Sequence, residues 1–202
     1  MSLSDHSSLS DNKSTHLLNY TSNRGLHKVK YQGDTEFDYS LHGGQKPIDV
    51  SLVLPHYRAH NQPINHKMSL AVTGEDESIK IKVCRSVPRS NFELEVLAET
   101  SGVTIWLPSD FRGQIRFSGR PTFSAGFVNR ILQNARLNET DENDYQGEDY
   151  VVVVSQGHIT FRMWDVQTRS PENTRKECFK RLFGCASKAP ETSIDWDTLL
   201  RD

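Results

Sequence analysis

Little in this sequence points to secretion, to a membrane span or to a strongly charged partner. Cysteine is scarce: Cys84, Cys178 and Cys185 are the three present, an odd and sparse set that excludes a disulfide framework. No window approaches the roughly 20 apolar residues needed to cross a bilayer. Residues 1–20 are rich in Ser, Asp and Asn and lack the basic and apolar regions of a signal peptide. The sequons at Asn12, Asn19 and Asn138 are therefore expected to be incidental, because glycosylation follows secretion. The formal charge is −2, so no nucleic acid is expected as a partner and any electrostatic attraction must be local. These absences together predict a cytoplasmic protein.

Catalytic signatures are missing too. There is no Gly-x-Ser-x-Gly elbow, and Phe123-Ser124-Ala125-Gly126 reads as a helix start. There is no Walker-type loop and no GxGxxG, and Gly43-Gly44 alone is a turn. The reading is therefore more non-enzyme than enzyme, with no cofactor. With 35% hydrophobic and 25% charged residues and a mean hydropathy of −0.61, a large core is not expected unless much of the length is tail or loop.

What is present is alternation. Ile48, Val50, Leu52 and Leu54 recur with period two up to Pro55, the signature of a half-buried strand. Met68, Leu70 and Val72 repeat it, as do Ile79, Ile81 and Val83, then Phe92, Leu94 and Val96, then Val103, Ile105 and Leu107. Ile115 and Phe117 form a shorter run. Val151 to Val154 is continuous and apolar, and Gln156-Gly157 leads into Ile159, Phe161 and Met163. Val29 and Tyr31 with Phe37, Tyr39 and Leu41 flank a Gly33-Asp34 turn signal and predict a small hairpin. Ser101 to Leu107 and Gln156 to Met163 share one form, and Ser78 to Val83 is a version without glycine. This predicts stacked hairpins or rungs, hence an all-β sandwich or β-solenoid-like core. One helix interrupts it, predicted over 124–137 from Phe123, Phe127, Val128, Ile131 and Leu132, with Ser124 as N-cap. The expected organisation is a disordered polar segment over 1–24, a β-rich domain over 25–165 and a basic amphipathic tail over 166–202.

Four groups of residues carry candidate chemistry. His56, His60 and His66 have metal-ligand spacing, but Pro55 and Pro63 break any shared helix, and solvated histidines are the competing reading. The acidic stretch Asp141-Glu142-Asn143-Asp144 with Glu148 and Asp149 offers hard oxygens for calcium, yet lacks the EF-hand pattern and reads better as a solvated tip. Trp106, with Phe111 and Arg112, is either an exposed patch or a covered residue beneath the helix that starts at Ser124; the covered reading is preferred. Cys84 ends a strand and is expected to be a small buried residue.

The tail is the fourth. Residues 169–188 hold six basic and two acidic residues, a local charge of +4. Arg175, Lys176, Lys180 and Arg181 accompany Phe179, Leu182 and Phe183, which share one helical face, while Cys178 and Cys185 are candidate acylation sites. This predicts a protein partner or a membrane surface; packing back on the sheet is the competing use. Ile194, Trp196, Leu199 and Leu200 suggest a second short docking segment.

The run from Phe92 to Ile115, with Ser101-Gly102, Leu107-Pro108 and Phe111-Arg112-Gly113 between strands, resembles a group of uncharacterised fungal proteins that share a domain of unknown function. The likeness covers about residues 46–165, with Val151 to Trp164 similar to their closing hairpin. More distantly, the Ser-Gly turns resemble adhesin-type β-solenoid repeats. The resemblance implies a fold but no activity, cofactor or catalytic residue. The resulting reading is a non-catalytic binding or scaffold module recruited through its tail. A metal-dependent enzyme using His56, His60 and His66, and a β protein binding a small ligand, are the alternatives.

Overall fold

Strand pairing decides between rungs and hairpins. The computed structural model describes residues 22–86, 90–139 and 147–173. In it β1 (Arg24–Lys28), β3 (Ile48–Val53), β5 (Ile79–Cys84) and β7 (Val103–Pro108) pair side by side, all parallel. Between them in the chain lie β2 (Tyr39–His42), β4 (Met68–Gly74) and β6 (Phe92–Ala98), which form a second parallel set. Each pass of the chain thus lays one strand on an odd wall and one on an even wall. The protein is mainly β, a curled sheet of stacked short strands carrying one short helix. The hairpin expected across Gly33-Asp34 does not form: β1 pairs with β3 and β2 with β4. Parallel neighbours need a crossover rather than a tight turn, and each connection here carries the chain to the other wall.

The period-two residues face one shared core. On the odd wall Val50, Ile81, Ile105 and Phe161 stand in register. On the even wall Leu70, Leu94, Val151 and Ile115 do the same. All of these are fully buried. Burying each such side chain contributes roughly 1.5–3 kcal/mol, and no rung could do so without its neighbours.

The two walls meet in one long strand. β10 (Asp149–Asp165) runs through both, its first half beside β6 and its second beside β7. Val151 to Trp164 does not fold into a hairpin within itself: it belongs to this single strand, with an irregularity between Val154 and His158. β8 (Gly113–Phe123) precedes β10 in sequence but pairs on its far side. The later strand is therefore inserted between rungs laid down earlier. The resemblance between Ser101–Leu107 and Gln156–Met163 has a direct meaning, because Val103, Ile105 and Leu107 are the register partners of Ile159, Phe161 and Met163.

One end of the stack is capped. Ser124 Oγ accepts from the backbone N–H of Phe127 at 3.2 Å and starts α1 (Ala125–Arg130). The helix is shorter than the predicted 124–137. A 3-10 turn covers Leu132–Asn134, and β9 (Ala135–Leu137) pairs with the edge of β8. That edge offers backbone hydrogen bonds that outweigh helix propensity, and Leu137 extends the Ile115 stack. Phe117, Phe123, Phe127 and Phe161 fill this end, with Phe123 stacked on Phe161 at 5.5 Å. A short antiparallel strand, β11 (Ser170–Pro171), closes against the end of β10.

Candidate functional site

The opposite end is different. β1 and β2 are the two ends of the strand order, and each is one edge of the sheet. The inward positions of β1 follow from its register: Gly25 lies beside Val50 and His27 beside Leu52. On the other wall Tyr39 lies beside Leu70. So the first rung places an imidazole and a phenol in columns that the later rungs fill with Leu52 and Val83 on one wall and Leu70, Leu94, Val151 and Ile115 on the other. Their rings stand 5.6 Å apart. Neither His27 Nε2 nor Tyr39 Oη has a hydrogen-bond partner, although both atoms are buried. Burial without a partner disfavours the phenolate and pushes the Tyr39 pKa up to about 12.

A cavity of about 610 Å³ opens beside this pair. It is walled by Leu26 to Lys28 from β1 and by residues from Gln32 to Ser40 leading into and along β2. Leu26 is 64% exposed. Of the charged residues that line it, Lys28 and Glu36 are exposed and opposite in sign, and Asp38 is buried.

Asp38 braces the wall from within. Its side chain is 1% exposed and accepts from the backbone N–H of Gln32 at 2.8 Å and of Ser69 at 2.9 Å. Ser69 Oγ donates to it at 3.3 Å, and His66 Nε2 lies 2.6 Å from Oδ2. Tyr31 stands edge-on to the His66 ring at 4.8 Å. Four contacts from three residues use the lone pairs of one carboxylate, so Asp38 holds the loop over residues 31–38 to β4 and offers nothing to a ligand. The order of contacts matters chemically. The carboxylate sits between histidine and serine, so the base-to-nucleophile hydrogen bond that activates a serine is not made.

The residues singled out from sequence fall apart in space. His66 belongs to Asp38, while His56 and His60 are exposed on the connection between β3 and β4. Among the described residues no three His, Cys, Asp or Glu gather as metal ligands. Of the acidic stretch, Glu148 pairs with Arg136. Asp149 is no loop ligand: it is buried, 2.8 Å from the equally buried Arg85, which also bonds Asp110 at 2.7 Å. Residues 140–146 lie outside the described ones. Trp106 is covered, as preferred, but not by α1. Lys82 and Arg162, its register neighbours, lie over its ring at 5.2 and 5.3 Å. Phe111 is in the core and Arg112 is exposed. Cys84 is buried, and burial pushes its thiol up to about 11. Asn138 turns the chain in a left-handed conformation, its side-chain oxygen accepting from Phe117 N–H at 2.8 Å. The tail residues Arg175, Lys176, Cys178, Phe179, Lys180, Arg181, Leu182, Phe183 and Cys185 lie outside the described residues.

Sequence reasoning missed His27 and Tyr39 as a pair. Extending the alternation back from Val29 to His27 reveals the first; pairing it with Tyr39 requires the two walls.

Comparison with protein families gives one match, a domain of unknown function (DUF7330), over residues 26–144. That is more than half of the 202 residues, and the chain belongs to this family. No curated protein matches, and no solved structure does.

Proposed function

For this member of the family, we propose a non-catalytic binding module that takes a small polar ligand in the cleft between β1 and β2. The observation that carries this reading is Tyr39, a residue of the cavity wall whose hydroxyl is buried behind it without a hydrogen-bond partner. A buried polar group left without a hydrogen bond costs about 1–3 kcal/mol. Folded proteins satisfy nearly all such groups, and the exceptions concentrate where a further molecule completes them. The volume falls in the range of small-molecule sites.

The test is ligand-observed NMR on a fragment library. Fragments should bind the wild-type protein and lose saturation transfer with Ser40→Trp, which fills the cleft from its exposed rim. Equal binding to both proteins would contradict the reading.

The basic segment carrying Phe179, Leu182 and Phe183 is proposed as a separate recruitment element, on the strength of its +4 local charge beside an apolar face. Among the described residues no helix is long and apolar enough to cross a membrane. Flotation with anionic vesicles should fall when residues 169–202 are removed; unchanged flotation would discard the membrane version.

A further inference from the structure

Resting on the cleft reading above, we infer that the ligand is a neutral, hydroxyl-rich molecule of sugar or polyol type, held by the His27–Tyr39 pair. Three observations lead there. The first is charge. Lys28 and Glu36 are exposed and of opposite sign, and the Asp38 carboxylate is taken up by Gln32, Ser69 and His66. An ion moved out of water into this cleft would meet no unengaged counter-charge in excess, and burying a charge without one is costly.

The second is the kind of group left over. A phenol both donates and accepts, and the Nε2 atom of a neutral imidazole does one or the other according to tautomer. One ligand hydroxyl, itself donor and acceptor, satisfies both atoms at once. A carboxylate needs donors from both, and an ammonium needs acceptors from both. The third is the remainder of the wall, which is lined by Ser40 and Thr35 together with Phe37 and Leu26. That mixture suits a molecule with hydroxyls at its edge and C–H groups on its face.

Both orphan atoms are closed off from water in the free protein, so a ligand that bonds them must uncover them on binding. This has a diagnostic consequence. Tyr39→Phe removes an unsatisfied group from the free protein and removes a ligand contact from the complex, so it should stabilise the first and weaken the second.

The experiment is a titration of the wild-type protein with a panel of mono- and disaccharides and polyols, beside citrate and spermidine, followed through the His27 and Tyr39 side-chain resonances. Neutral hydroxylated probes should shift both residues. Tyr39→Phe should weaken their binding roughly fivefold to tenfold, the effect of one hydrogen bond, while melting at a higher temperature than wild type. Shifts with citrate or spermidine but not with the neutral panel would overturn the ligand class and leave the cleft reading standing. No shift with any probe would remove both. Binding of neutral probes with equal affinity to Tyr39→Phe would overturn the anchoring role of the phenol.

Discussion

Single residues carry the stability of this molecule where charge is buried. Arg85 is 1% exposed, with Asp149 and Asp110 on its guanidinium and Ser90 O accepting at 3.1 Å. Asp149 Oδ1 also accepts from Phe92 N–H at 3.4 Å, and Oδ2 from Arg112 N–H at 3.3 Å. The pair therefore pins the start of β10 to the start of β6 and the turn before β8. Breaking a buried pair from one side strands a charge and costs about 3–5 kcal/mol. Arg85→Met should lower the urea unfolding free energy by that amount, and Arg85→Met with Asp149→Leu should recover part of it. A loss below about 1 kcal/mol would show that water reaches the pair.

Two further residues set a pH limit. Cys84 and Tyr39 are acids that are neutral when protonated, and burial raises both. The thiol moves from 9.0 to about 11 and the phenol from 10.0 to about 12. The unfolded chain therefore releases these protons first. Stability should be unaffected below about pH 9, then fall as pH rises through about 11 for Cys84 and about 12 for Tyr39. Chemical denaturation across pH 8–11 should show a shallower decline in Cys84→Ala; identical slopes would exclude the thiol as a cause.

Among the elements, the corners of the stack are the sensitive places. A Cβ on Gly157 would lie 2.5 Å from the carbonyl oxygen of Ser101, so this turn presses directly on the rung below. Gly113, with φ +150°, is tighter still against Asp149 O. A Cβ on Gly102, by contrast, meets nothing closer than 3.9 Å. Gly157→Ala should cost about 3 kcal/mol, the upper end of overpacking effects. Gly102→Ala should change stability by less than about 0.5 kcal/mol. Thermal melts of the two variants provide the check.

The same elements show what could be read without coordinates. The alternation of Ile48 to Leu54, of Phe92 to Val96 and of Val103 to Leu107 names core residues, because period two depends on the strand alone. Ser101-Gly102 and Gln156-Gly157 were legible as equivalent units and are stacked neighbours. Parallel pairing was not legible, since a Gly-containing turn between two strand-like runs looks the same whether the chain reverses beside itself or crosses to another wall. The helix was overestimated because Ile131 and Leu132 continue its spacing. What ends it is the pairing of Ala135–Leu137 with a distant strand.

At the scale of the whole molecule the asymmetry of the two ends is the main feature. One end is closed by α1, β9 and four packed Phe rings. The other ends in two edge strands with His27 and Tyr39 at the core's last layer and a cavity beside them. The candidate site was illegible in sequence because its members lie on separate walls, and because Asp38 and His66, 28 residues apart, meet only after β4 is in place. The histidine spacing drew attention to the right connection for a different reason: His66 braces Asp38 and thereby the cleft wall.

Backbone amide mapping of bound ligand tests the central claim most directly. With any fragment that loses binding in Ser40→Trp, the largest ¹H–¹⁵N shift changes should fall on residues 26–28 and 35–40, with β4 responding through Asp38. Changes centred instead on α1 and β9, or on the exposed connection that carries His56 and His60, would contradict the assignment of the open end as the binding site.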